Sequence, residues 1–138
     1  MITRKKIITL GISTYSLSVL LLILYNYSIY IIIPEIKNWE AFSYSFYGGF
    51  IFYGFGMILY AILMLIIDYK KMKNLSTLIL MLLLLEISVL LFLKESITIT
   101  IVKSFLKEND NEYQFIIFPI VIIVSYFIFK KVLRISFK

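Results

Sequence analysis

Long apolar runs separated by short charged segments dominate the chain, and they are too uniformly apolar for the one-sided pattern of a soluble amphipathic helix. Residues 7–34 carry no charge, nor do 42–67, and 75–93 carry only Glu86; a last run covers 113–129. A helix rising about 1.5 Å per residue needs roughly 20 residues to cross the hydrocarbon of a bilayer. The pattern therefore predicts spans at about 7–27, 42–67, 75–93 and 113–129 within one membrane domain covering 1–138. The expected fold is all-α, a four-transmembrane-helix bundle. Pro34 is expected to end the first helix, and the basic start followed by a long apolar core reads as an uncleaved first helix rather than a signal peptide.

Ser96-Ile-Thr-Ile-Thr-Ile-Val102 alternates like a strand, but a lone strand beside a membrane leaves its backbone unpaired, so a frayed helix end or an interfacial segment is expected. Lys103 to Glu112 is the most polar stretch and reads as a loop.

Composition sharpens the class. Hydrophobic residues make up 62% and charged residues 16%, with a mean hydropathy of +0.97, which excludes an ordinary water-soluble domain. With no cysteine and no histidine, thiol and imidazole chemistry and the usual zinc sites are excluded. No metal site or cofactor is expected.

The net charge of +6 is explained by its distribution. Ten basic residues (Arg4, Lys5, Lys6, Lys70, Lys71, Lys73, Lys130, Lys131, Arg134, Lys138) fall on one side of the expected spans, opposed only by Asp68. The other side has Lys37, Lys94, Lys103 and Lys107 against six acids. The asymmetry predicts that both termini are cytoplasmic and that anionic lipid, not nucleic acid, is the partner of the basic excess.

Aromatic residues Tyr25, Tyr27, Tyr30, Tyr44, Phe46, Tyr47, Phe50, Phe52 and Tyr53, with Trp39, form an expected interfacial belt at the opposite side. On the second span, Ala41, Ser45, Gly49 and Gly56, with Tyr53 and Tyr60, recur at three- and four-residue steps, a face on which small residues let helices pack closely.

Glu86 is the residue with the most chemical content. Ionised and unpaired in hydrocarbon, a carboxylate would cost several kcal/mol, so it must be protonated, paired or in contact with internal water. Its own helix face offers no second charge, so partners are expected at its depth on other helices: Ser16, Ser18, Tyr53 and Ser125. Such an acid serves either interhelical or subunit recognition, or proton-coupled transport of a cation. Two-carboxylate hydrolysis is excluded, because no second acid shares its depth. Glu108-Asn-Asp-Asn-Glu112 lacks the glycine and spacing of a calcium loop.

The four-span layout and the passage Tyr60-Ala-Ile-Leu-Met-Leu-Ile-Ile-Asp-Tyr-Lys-Lys71 resemble uncharacterised small membrane proteins of low-GC Gram-positive bacteria. That resemblance implies a non-enzymatic accessory or immunity-type protein with a membrane-protein partner or a second copy of itself. The alternative is an oligomeric proton-coupled small-cation transporter or channel using Glu86. Small multidrug transporters share the size, but their membrane glutamate looks to be in the first span, where this chain has none.

Because the chain lacks cysteine, single-cysteine labelling tests the orientation directly. In intact cells, Lys5→Cys and Lys71→Cys are expected to resist a membrane-impermeant maleimide that labels Lys37→Cys; the reverse pattern would invert the topology.

Overall fold

A computed structural model describes residues 3–32, 39–107 and 116–137, with side chains described for all of these except 30, 39–45, 104, 105 and 107. All its regular structure is helical: α1 (Arg4–Ile32), α2 (Trp39–Ile66), a 3-10 turn (Tyr69–Lys71), α3 (Asn74–Leu93), α4 (Ile97–Lys107) and α5 (Ile117–Val132). Three helices are long and apolar enough to cross a membrane, over Arg4–Ile29, Phe46–Ile66 and Asn74–Leu93. The fourth apolar helix, α5, has 16 described residues from Ile117, and the expected start at 113 falls outside the described residues. Pro34 and residues 113–115 lie outside the described residues. Pro119 sits in the first turn of α5, where an amide has no intrahelical acceptor, so the ring removes no helix hydrogen bond.

α1 packs on α2 and α5, α2 on α3, and α3 on α5, so these helices contact one another in a closed ring. Their directions alternate. Gly49 faces Leu22 while Tyr60 reaches Ile7, which makes α1 and α2 antiparallel. Tyr126 of α5 bonds Asn74 at the start of α3 while Pro119 lies near Leu85, which makes those two antiparallel as well. Arg4 stacks over the Tyr69 ring at 5.3 Å, bringing the start of α1 to the basic α2–α3 turn. Arg4, Lys70, Lys71, Lys73, Lys130, Lys131 and Arg134 thereby gather at one end of the fold.

Helix ends follow local chemistry. Asp68 accepts from the Lys70 amide at 3.2 Å and caps the 3-10 turn. At the end of α5, Arg134 adopts φ 49°, its amide bonds Lys131, and the Ile135 amide returns to Lys130. This is a Schellman closure with arginine at the position that usually takes glycine, and Ile135 buries the accompanying apolar contact. Lys94 ends α3 in the same left-handed conformation, φ 58°.

The polar stretch from Lys103 is not a loop at its start. α4 carries the helix through Lys107, because its first amides find acceptors that a single strand would lack. The expected aromatic belt also divides: Tyr25, Tyr27, Tyr47 and Phe50 are exposed, whereas Phe52 and Tyr53 turn into the core.

Two glycines set the closest helix approaches. A Cβ on Gly49 would meet Leu22 Cδ2 at 2.5 Å, and one on Gly11 would overlap the ring of Tyr60. Gly54 has open space around it. In detergent, Gly11→Ala is expected to lower stability by about 1–3 kcal/mol through overpacking, while Gly54→Ala leaves it unchanged or raises it. Unfolding of the purified variants measures both.

Candidate functional site

The interior is apolar in bulk yet contains many hydroxyls. Tyr15, Tyr53, Tyr60 and Tyr126 are all buried, as are Thr14, Ser18, Thr77, Ser88 and Ser125. Each tyrosine donates to a carbonyl oxygen of a different helix. Tyr60 of α2 reaches Ile7 of α1 at 3.2 Å, Tyr15 of α1 reaches Met81 of α3 at 2.8 Å, and Tyr53 of α2 reaches Phe118 of α5 at 3.0 Å. Tyr126 of α5 sits 3.0 Å from the Asn74 carbonyl and 2.8 Å from its Oδ1. A carbonyl oxygen has two lone pairs, so it accepts this extra bond alongside its helical one. Gly11 lies one turn beyond Ile7, and its missing side chain is what lets the Tyr60 ring lie against α1 and reach that oxygen.

Ser18 donates to the Thr14 carbonyl at 2.8 Å and stands 3.2 Å from Ser125 Oγ, which links α1 to α5. Ser88 and Thr77 turn back on their own helix, bonding Leu84 and Lys73. Thr14 Oγ1 is buried without a partner among the described residues.

Glu86 lies about two turns below the end of α3. After the left-handed Lys94 the chain folds back and brings Ser96 to the Glu86 carboxylate. The Ser96 hydroxyl donates to Glu86 Oε1, and the same oxygen accepts the Thr98 amide at 3.3 Å. Ser96 Oγ in turn accepts the Ile99 amide at 3.2 Å, and the Ser96 carbonyl receives the first helical bond of α4 from Thr100. Ser96 is thus the N-cap of α4, and Glu86 acts as a second cap reaching over from α3. A carboxylate at a helix N-terminus is further favoured by the helix dipole, by about 0.3–1 kcal/mol at exposed sites and up to about 2 when partly buried.

The expected partners of Glu86 are placed elsewhere. Ser18, Tyr53 and Ser125 are interior but bond carbonyls and one another, and Ser16 is exposed on the outer face of α1. Gly49 and Gly56 do meet α1, at Leu22 and at Tyr15 Cε1, 3.0 Å from a Cβ on Gly56. Ala41 and Ser45 belong to α2, with side chains outside the described set. Sequence reasoning missed Gly11 and Ser96. The signal for Ser96 was available: a serine at the head of a helix-capable segment, directly after a lysine and a glutamate that end an apolar run.

Beside Glu86 opens a cavity of about 240 Å³ between α3, α4 and the start of α5. Its walls are Leu82, Leu85, Ile97, Ile101 and Pro119, with Ile79 and Leu83 at an exposed rim. Among the described residues no cluster of acids could hold a metal ion.

These features define a class: an α-helical chain with three membrane-competent helices, knitted by buried hydroxyls, as expected of a multi-pass membrane protein. Comparison with protein-family models, curated proteins and solved structures gives no match.

Ser96→Ala removes both a cap and a donor to Glu86. Amide exchange at Thr98 and Ile99 is expected to rise by about tenfold, matching a loss of about 1–2 kcal/mol, while exchange in the middle of α2 stays unchanged.

Proposed function

We propose that this chain is a four-span bacterial plasma-membrane protein, with both termini cytoplasmic, that acts without catalysis by binding a membrane-protein partner or a second copy of itself. Support comes from the way its polar groups are used. The hydroxyls of Tyr15, Tyr53, Tyr60 and Tyr126, the Ser18–Ser125 pair and the Glu86 carboxylate all bond within the chain, which builds a rigid scaffold. α5, though short, is apolar, antiparallel to α3, and ends in Lys130 and Lys131 beside the other basic segments, as a fourth crossing would. The observation that carries the reading is α4. Pinned to the flank of α3 by Glu86, it presents Ile99, Val102 and Leu106 outward.

Photo-crosslinkers at Val102 and Leu106, on α4, are expected to trap one reproducible membrane protein, or this chain itself, while the same groups at Leu20 and Leu24 of α1 trap lipid. Purified protein in liposomes is expected to pass no more protons or cations than empty liposomes. Flux abolished by Glu86→Gln would overturn this reading in favour of an oligomeric proton-coupled transporter or channel.

A further inference from the structure

The described hydrogen-bond partners of Glu86 are a hydroxyl and an amide, both neutral, and both bond Oε1. Neither contact brings a cation to the carboxyl group. The same side chain lines the 240 Å³ cavity, whose remaining walls are almost wholly hydrocarbon: leucine and isoleucine from α3 and α4 and the Pro119 ring of α5. Among the described lining residues, Thr98 supplies the one other polar side chain. Leu85 and Ile97 are buried at its floor, while Ile79 and Leu83 are about half exposed, so the opening is flanked by the apolar flank of α3.

We propose that this cavity is a binding site for a small hydrophobic ammonium ion. A single carboxylate in an apolar pocket selects for a compact body carrying one positive charge. A neutral molecule of equal shape gains only the apolar burial, and an anion is repelled. The ammonium supplies the charge that the capping donors lack, and its N–H groups give the carboxylate charge-assisted hydrogen bonds. The exposed rim lets such a cation enter from the bilayer interface, where an amphipathic ammonium keeps its charged head hydrated while its apolar body meets the acyl chains. This site is independent of partner binding: it needs only the α3–α4–α5 junction.

The test uses the full chain in nanodiscs of zwitterionic lipid, with radiolabelled 1-adamantylammonium as probe, 1-adamantanol as its neutral counterpart, and empty discs subtracted. Saturable binding of one cation per chain is expected, with the alcohol weaker by roughly tenfold or more, an energy difference of about 1.4 kcal/mol. Glu86→Gln, which keeps the side chain's size and its accepting oxygen, is expected to reduce cation binding to the level of the alcohol. Ile101→Trp fills the cavity from α4 and is expected to abolish both. An unchanged unfolding midpoint certifies each variant as folded, and the cation-against-alcohol comparison on the unmodified chain decides the matter if either variant fails. Equal binding of cation and alcohol would overturn the proposal by showing an apolar cleft that a lipid tail fills. Non-saturable uptake identical in Ile101→Trp would overturn it by showing partition into lipid alone.

Discussion

Most of the hydroxyls buried in this fold find an acceptor, and the tyrosine bonds among them join its helices. Helices in lipid gain little from burying apolar surface against one another, since acyl chains are equally apolar. What remains is close packing and hydrogen bonding. Tyrosine suits both needs, as a rigid ring that fills space and a terminal O–H that reaches beyond the packing layer. Tyr15, Tyr53, Tyr60 and Tyr126 each donate to the backbone of another helix, and no two join the same pair of helices. Because the acceptors are carbonyls, each contact fixes the height of one helix against another without requiring a matching side chain. Interhelical bonds of this kind contribute about 0.6–2 kcal/mol each, so several of them together, rather than any single one, fix the arrangement.

Much of this could be read from the chain. Helical class followed from the length of the apolar runs, and the ends of α3 fell within a residue of expectation because charges bracket them closely. The packing role of Gly49 and Gly56 followed from their spacing. Periodicity, however, reports only which residues share a face, and says nothing about which neighbour that face will meet. Gly11 shares a face of α1 with Thr14 and Ser18, at three- and four-residue steps, but that spacing says nothing of Tyr60 as the residue that meets it.

Glu86 shows a different limit. The sequence places its partners at equal depth on other spans only if the chain leaves the membrane once α3 ends. Instead Lys94 turns the chain back, and the acid is met by Ser96, ten positions further on. The alternating Ile and Thr residues of 97–101 allowed either period, and the contest was decided by whether the first amides could find acceptors. That information lies in the preceding helix, outside any local window. The acid is thus at once the feature easiest to notice in the sequence and the one whose surroundings were hardest to foresee.

The Tyr60–Ile7 bond bears on how the chain is made. It closes the α1–α2 hairpin at its open end, far from the segment that joins the two helices. Register between the first two helices therefore gains a fixed point at the ends that are synthesised first and last, in addition to the contacts of Gly49 with Leu22 and of Gly56 with Tyr15. Both partners of the Tyr60–Ile7 bond lie within residues 1–66, whereas Tyr15 needs α3 and Tyr126 needs Asn74. Later helices then add their own bonds, Tyr15 to Met81 and Tyr126 to Asn74, to a pair that already holds contacts at both ends.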